Sequence, residues 1–329
     1  MPNSPETQKP QTTMNTPQPG QLGILQPQGF PGLPSSWVTD WSTFRSSDEK
    51  AQLFTFTHHQ LPWEGKRALV VIHGMGEHGG RYLHLPHYMR EYYDAIHTVD
   101  LQGHGRSEGI RGHIDRFDSL VDDVALAVVR FADQMQRRFG QTEVHLLGHS
   151  LGGHLVIRTL LNHSDLPIKA AIISAPFLGI KAKVPVVKKY AALGLSKVWG
   201  SVQLDTALDA SALSHDRSVV ETYLKDRLVH SKMSPKFFTQ VTAAMSDTLS
   251  LDNPRLPVPT LFMVPMADSI VDPEMTRKFF DAASPEDSKT WIPYSNLYHE
   301  ILNESEVDRN QVFADWKAWL KSLGKAQIT

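Results

Sequence analysis

Short apolar runs alternate along the chain with segments that carry apolar residues at helical spacing. The runs in the middle of the chain are continuously apolar, which is typical of parallel strands covered on both faces. The predicted strands are 53–57, 68–72, 95–101, 143–148, 169–174, 259–264 and 289–294. Amphipathic helices are predicted from about residue 118, after residue 150 and near 306–323. This alternation indicates an α/β fold with a mostly parallel central sheet and helices on both faces.

Two stretches depart from this rhythm. Residues 1–36 contain eight prolines and six glutamines, and such a composition predicts a disordered tail ahead of a domain at 37–329. Between residues 176 and 257 no strand-like run occurs, and the segments have helical character. We therefore expect a helical cap, inserted at about 177–250, above the strand ends where ligands bind in such folds.

The segment GHSLG (148–152) directly follows a predicted buried strand and begins a helical segment. This is the context that the G-x-S-x-G nucleophile pattern requires, so Ser150 is the candidate nucleophile. A second match, GRSEG (105–109), lies in a glycine-rich loop with no helix after it. We predict that Ser107, its serine, has a structural role.

A serine hydroxyl becomes a strong nucleophile only when an imidazole removes its proton and a carboxylate orients that imidazole. His299 follows the predicted strand 289–294, and Asp268 follows the predicted strand 259–264. The order Ser, Asp, His is the one found in α/β-hydrolases. Asp272 is the alternative acid, but it precedes Pro273 and a helical segment, which is typical of a helix N-cap.

The loop HGMGEHG (73–79) follows the predicted strand 68–72. In a hydrolase its backbone would lie beside the nucleophile, so the N–H groups of Met75 and Leu151 are the candidate oxyanion donors. The same loop also matches G-x-G-x-x-G, with Asp100 about 20 residues beyond it, which is the fingerprint of a nucleotide-binding oxidoreductase. That alternative leaves Ser150 and its two predicted partners unexplained.

The chain resembles the monoglyceride lipase and lysophospholipase group of serine α/β-hydrolases from about residue 45 to 323. The resemblance is carried by HGMGEHGGRY (73–82), DLQGHGRSEG (100–109), LLGHSLGGH (146–154), ADSIVD (267–272) and YHEILNE (298–304). It implies the same roles for Ser150, Asp268, His299, Met75 and Leu151 as the residues alone suggest. One departure is Pro265, where relatives usually carry glycine.

The chain contains no cysteine, which excludes disulfides, thiolate metal sites and a cysteine nucleophile. Its net charge of −2 gives no overall basic field for nucleic acid. No apolar run reaches the ~18 residues that span a bilayer, and the N-terminus resembles no signal peptide, so a cytoplasmic protein is expected. HEILN (299–303) is not a zinc motif, because Asn303 replaces the second histidine. We expect no cofactor, no metal and no obligate protein partner.

Residues 177–200 carry five lysines and no acid. A basic amphipathic lid suits an enzyme whose substrates lie in anionic lipid, and it predicts peripheral membrane contact through the cap. A lid whose apolar face packs on the core and whose lysines point into water is the other interpretation. The resemblance implies lipid-like acyl esters such as monoacylglycerols or lysophospholipids. A general carboxylesterase, an aminopeptidase-like hydrolase and a non-catalytic lipid-binding relative are the alternatives.

Overall fold

Eight strands form one sheet in the computed structural model, which describes residues 23–181, 194–196, 199–206 and 208–326. Their order is β1-β2-β4-β3-β5-β6-β9-β10, and a two-stranded sheet pairs β7 with β8. The strands are β1 Trp37–Arg45, β2 Gln52–Gln60, β3 Arg67–Ile72, β4 Ala95–Val99, β5 Glu143–His149, β6 Ala170–Ser174, β7 Leu204–Asp205, β8 Lys232–Met233, β9 Thr260–Pro265 and β10 Lys289–Tyr294. The helices are α1 Leu85–Met89, α2 Phe117–Phe139, α3 Leu151–Asn162, α4 Arg217–Lys225, α5 Pro235–Leu249, α6 Pro273–Ala282 and α7 Glu306–Ala326.

The central strands are parallel and buried on both faces. All pairs from β4 across to β10 are parallel, whereas β1 and β2 add an antiparallel edge. Alternate residues of β3 enter different cores: Val70 and Ile72 pack with α2 and α3, while Leu69 and Val71 pack with α1 and α7. Apolar side chains on both faces of a strand need helices on both sides, which confirms the predicted α/β-hydrolase fold class.

The structure adds elements that the hydrophobic pattern did not predict. β1 is an edge strand in which Trp41 and its neighbours are exposed, so its sequence lacks a continuous apolar run. The predicted strand 95–101 ends at Val99, because the chain then turns into a loop held by Asp100. Strands β7 and β8 lie in the interval expected to hold only helices and loops, and each is just two residues long.

In the predicted cap interval, the described residues form α4, α5 and the β7–β8 pair. The backbone of this region contacts the loop after β3, since the His230 N–H donates to Gly76 O at 2.9 Å. Of the five lysines in 177–200, only Lys181 lies within the described residues. The division into a catalytic domain and a cap, and the basic character of the lid, therefore stay predictions.

Residues 23–36 lie against the domain, whereas residues 1–22 lie outside the described residues, so the disordered tail over 1–36 stays a prediction. Ile24 is buried, and the Arg309 guanidinium lies 3.7 Å from the centre of the Phe30 ring. The Ser218 hydroxyl of α4 donates to Gln28 O at 3.2 Å. Ile24 and Phe30 thus contact the domain despite the proline-rich composition of the segment.

Five histidines are buried within the sheet and helix layers of the fold. Burial lowers the pKa of each to about 3. They are His58, His84, His97, His145 and His154. His84 directly precedes α1, and its Nε2 lies 3.0 Å from Leu302 O.

No helix among the described residues is long and apolar enough to cross a bilayer.

We predict that Phe30→Ala lowers the free energy of unfolding by about 1–2 kcal/mol, because it removes the ring beneath the Arg309 guanidinium and its edge contact with His84. Urea unfolding measures the change. Leu25→Ala is the control, since Leu25 is exposed and its loss costs no more than about 0.5 kcal/mol. Equal effects of the two substitutions would show that residues 23–36 leave the domain in solution.

Candidate active site

Ser150 occupies a sharp turn between β5, which ends at His149, and α3, which begins at Leu151. Its backbone has φ 53° and ψ −117°, a conformation that costs energy for any residue other than glycine. The turn is held because the Ser150 N–H donates to Ser174 O at 2.9 Å. This is the strand–turn–helix arrangement that exposes a nucleophile at the carboxyl edge of a sheet.

Two glycines allow the strand and the helix to approach each other at this turn. A Cβ atom on Gly152 would lie 2.1 Å from Ile72 O, and one on Gly148 would lie 2.3 Å from Gly152 O. Both distances are far below van der Waals contact with backbone atoms that cannot move aside. Glycine is therefore required at both flanking positions of the pattern.

The second serine of the same pattern has a structural environment. Ser107 is buried, its hydroxyl donates to Asp100 O at 2.5 Å, and it accepts the Phe54 N–H at 2.8 Å. The first hydrogen bond closes the loop after β4 on itself, and the second joins that loop to β2. The hydroxyl is used in the fold and does not face a reaction site.

Asp268 and His299 meet at the carboxyl edge of the sheet, and Asp268 Oδ2 lies 2.6 Å from His299 Nδ1. The other carboxylate oxygen accepts the N–H groups of Ile270 and Val271 at 2.8 and 3.0 Å. Since an ionised carboxylate only accepts, the Nδ1–H donates, and Nε2 is left as the acceptor of the neutral ring. Pro265 ends β9 without preventing this contact.

The environment of this pair favours a histidine that takes up a proton. Burial alone would lower the pKa of His299, but the charge and hydrogen bond of Asp268 outweigh it and raise the pKa above its ordinary value of 6.5. Burial likewise acts to raise the pKa of Asp268, and the charge and hydrogen bond of His299 lower it on balance. In contrast, burial and the neighbouring His299 lower the pKa of His149 to about 4, so that ring stays neutral.

The histidine and the serine lie at the same rim. The His299 ring lies 4.8 Å from the ring of His149, the residue before Ser150. Among the described residues, Ser150 Oγ and His299 Nε2 make no hydrogen bond to each other. Such contacts are often long before substrate binds and shorten in the complex, so the three residues remain a candidate triad.

The loop after β3 passes directly beside the nucleophile: a Cβ atom on Gly74 would lie 3.1 Å from Ser150 Cβ. His73 Nε2 accepts the Leu101 N–H at 2.9 Å, so its Nδ1 carries the proton and donates to Gly74 O at 2.7 Å. Within one planar trans peptide, this directs the Met75 N–H away from the His73 ring. Within the described chain, neither the Met75 N–H nor the Leu151 N–H donates to another protein group.

The nucleotide-binding interpretation of this loop is not supported. The Asp100 carboxylate accepts the Gly79 N–H at 2.7 Å and the Arg106 N–H at 2.8 Å, so both of its oxygens are used within the fold. A 3-10 helix at Gly79–Tyr82, rather than an α-helix, follows the glycines. The arrangement offers no helix N-terminus of the kind that binds a pyrophosphate.

The other two motif alternatives also have structural explanations. Asp272 is the N-cap of α6, and it accepts the Glu274 N–H at 3.0 Å. Asn303 Nδ2 donates to Glu300 Oε2 at 2.9 Å, so the HEILN segment is internally bonded. No group of three potential ligands that could hold a metal occurs among the described residues.

Three charged residues that the sequence analysis did not single out lie beside the candidate triad. Glu77, Arg81 and Glu300 form a buried ion cluster between the loop after β3 and the loop that carries His299. The first two are within the motif HGMGEHGGRY, at the i, i+4 spacing of a helical ion pair. Their partner lies more than 200 residues further along the chain, so only the fold reveals the cluster.

Comparison with known proteins gives consistent matches over most of the chain. Phospholipase YtpA of Bacillus subtilis is 30% identical over 262 residues, which cover 78% of this chain and 97% of that protein. Human monoglyceride lipase is 29% identical over 269 residues, covering 81% of this chain and 86% of that protein. The crystal structure of the Paleococcus ferrophilus monoacylglycerol lipase superposes with a TM-score of 0.68 at 29% identity, covering 82% of this chain and 98% of that one.

The family model described as serine aminopeptidase, S33, matches residues 64–306, which include all five candidate site residues. Together with the sheet order and the elbow at Ser150, these matches confirm the resemblance that the sequence motifs carry. The chain belongs to this family of serine α/β-hydrolases, among the relatives of the monoglyceride lipases.

Proposed function

We propose that this chain is a lipase-type serine ester hydrolase that cleaves monoacylglycerols or lysophospholipids to a fatty acid and an alcohol. The observation that carries the proposal is the buried Asp268–His299 pair at the rim where Ser150 is held in a strained turn. The substrate class follows the names of the relatives, which are a phospholipase and monoglyceride lipases.

In the first half of the reaction, Ser150 Oγ attacks the ester carbonyl while His299 Nε2 takes the hydroxyl proton. Asp268 keeps the ring in the required tautomer and favours the imidazolium that forms. The tetrahedral oxyanion accepts hydrogen bonds from the Met75 and Leu151 N–H groups. His299 then gives its proton to the alcohol oxygen, the carbon–oxygen bond breaks, and the alcohol leaves.

In the second half, the acyl group is an ester of Ser150. His299 removes a proton from a water molecule, whose oxygen attacks the acyl carbonyl. The same two N–H groups stabilise the second oxyanion. When the bond to Ser150 Oγ breaks, His299 returns the proton to the serine and the fatty acid leaves. Each step moves a proton through one imidazole, so the sequence requires no cofactor.

Apolar side chains on the cap side support a peripheral contact with lipid. Trp199 is 69% exposed, and three neighbouring apolar residues, Val202, Leu204 and Leu208, are also exposed. Trp199 lies at the end of the basic segment 177–200, whose lysines suit an anionic surface, and the other three residues follow it. A hydrolase of lipid esters gains substrate by binding where the substrate is dissolved, so we propose a cytoplasmic enzyme that associates peripherally through its cap.

Ser150→Ala is expected to abolish ester hydrolysis while the fold is retained. Loss of a triad serine lowers kcat by about 10⁶-fold in comparable enzymes, because no other group forms the acyl-enzyme. The measurement is hydrolysis of a monoacylglycerol, with circular dichroism as the folding check. Ser107→Ala is the matched control, because it changes the serine of the second G-x-S-x-G and keeps the activity. Turnover by the Ser150 variant would contradict the proposal.

Asp268→Asn is expected to lower the pKa of His299 and to reduce kcat by about 10⁴-fold, because it removes the charge that favours the imidazolium. NMR titration of the imidazole and hydrolysis kinetics measure the two effects. Asp272→Asn is the control, since asparagine caps a helix as well as aspartate does. The assignment of the acid is wrong if the Asp272 variant alone loses activity.

A hydrolysis panel on one purified sample tests the substrate class. We expect monoacylglycerols and lysophospholipids to be cleaved with higher kcat/KM than triacylglycerols or short p-nitrophenyl esters. A preference for the short soluble esters would make the chain a general carboxylesterase. A preference for aminoacyl amides would make it an aminopeptidase, and an intact fold with no turnover would make it a non-catalytic relative.

A further inference from the structure

The Glu77–Arg81–Glu300 cluster is buried between two loops of the candidate site. The three side chains are 4%, 8% and 4% exposed. Arg81 binds both oxygens of Glu300, at 2.6 and 2.8 Å, and it binds Glu77 Oε2 at 2.7 Å. The ring of Tyr223, on α4, lies 5.0 Å from the guanidinium and covers it. One guanidinium therefore links two acids from distant parts of the chain.

Glu77 reaches from the cluster to the proposed oxyanion loop. Its Oε1 accepts the Gly74 N–H at 2.6 Å and the Tyr82 hydroxyl at 2.9 Å. Gly74 directly precedes Met75, the proposed donor. Held by Glu77 on its N–H side and by His73 on its carbonyl side, Gly74 has both of its peptide groups fixed. The direction of the Met75 N–H depends on both contacts.

Glu300 reaches from the cluster to the histidine loop, because it is the residue after His299. Its backbone N–H donates to Leu213 O at 2.8 Å, and its side chain accepts from Asn303 as well as from Arg81. The backbone at His299 is thus tied to the same guanidinium that anchors Glu77. A shift of either loop would break a charged hydrogen bond in a buried site, which is costly.

The cluster also carries charge towards His299. Two carboxylates and one guanidinium give a formal charge of −1. Burial acts to raise the pKa of Glu77, but Arg81 and two histidines lower it to about 2, so it is ionised at neutral pH. The charges of Asp268, Glu300 and Glu77 raise the pKa of His299, the Arg81 charge lies between the two glutamates, and the His149 ring lies 4.8 Å from the His299 ring. These three carboxylates and one guanidinium leave an excess of negative charge, which favours the imidazolium.

Resting on the function proposed above, we propose that Glu77, Arg81 and Glu300 are positioning residues that hold the oxyanion loop against the histidine loop and favour the protonated form of His299. They do not touch the reacting atoms. Their effect passes through Gly74 to the Met75 N–H on one side and through the backbone and field at His299 on the other. A purely structural role would change the stability of the folded protein and leave both of these properties unchanged.

Glu300→Gln tests the electrostatic part, because glutamine has nearly the same shape and removes one negative charge. We expect the pKa of His299 to fall, so the acidic limb of the kcat/KM profile moves to lower pH. The matched control is Glu143→Gln, which removes another arginine-paired carboxylate at the opposite end of β5, where Glu143 pairs with Arg67 at 2.7 Å. An unchanged His299 titration in folded Glu300→Gln, or equal shifts in both variants, would overturn this part.

Glu77→Ala tests the geometric part, because it removes the acceptor of the Gly74 N–H. We expect kcat to fall by up to about 10²–10³-fold, the cost of one oxyanion donor, with KM little changed. A folded variant with normal kcat would overturn the role of Glu77. If the variant does not fold, the Glu300→Gln titration still decides the electrostatic part.

The NMR titration of His299 separates this proposal from the proposed function, since it requires no turnover. Its resonance is assigned by comparison with His299→Gln. If the native protein hydrolyses no ester but Glu300→Gln still lowers the pKa of His299, the proposed function fails and the electrostatic part of the cluster proposal holds. If esters are hydrolysed but the pKa of His299 is unchanged in Glu300→Gln, the proposed function holds and the electrostatic part of the cluster proposal fails.

Discussion

The contact between the start of α3 and the end of β3 is the constraint on which the site depends. Gly152 lies so close to Ile72 O that no side chain fits between them. The helix thus begins directly against the sheet, and Ser150, in the turn between β5 and α3, has a positive φ. The loop after β3 is brought beside the serine by the same approach. One backbone contact therefore brings the nucleophile and the proposed oxyanion loop together, and the contacts of Gly74 with His73 and Glu77 orient that loop.

Much of the sheet could be predicted from the sequence because its central strands are buried on both faces. β3, β5, β6 and β9 are buried along their whole length or at all but their first residue, and most of their side chains are apolar. β1 was not predicted, because an edge strand whose Trp41 side chain is exposed to solvent requires no continuous apolar run. The contacts of Phe30 with Arg309 and His84 could not be predicted either, because they join distant segments of the chain that composition does not relate.

The candidate site could be predicted where its chemistry depends on order along the chain. Ser150, Asp268 and His299 each follow a strand, and parallel strands bring their carboxyl ends to one edge. Asp272 could be set aside because a proline followed it. The part of the site that depends on side-chain geometry could not be predicted. Glu300 directly follows His299 in the sequence, but nothing in the sequence indicates that Arg81 binds it. Only folding brings His299 to the same rim as Ser150.

The five buried histidines make the stability of the folded protein depend on pH. In the folded protein the five rings have pKa values of about 3, whereas in the unfolded chain they return to about 6.5. Below pH 6.5 the five histidines of the unfolded chain therefore bind protons, whereas the same rings in the folded protein stay neutral until the pH approaches 3. Stability that is fully present above that pH is lost progressively on acidification towards pH 3. These histidines take no part in the proposed reaction, but they limit how acidic the solution can be while the enzyme stays folded.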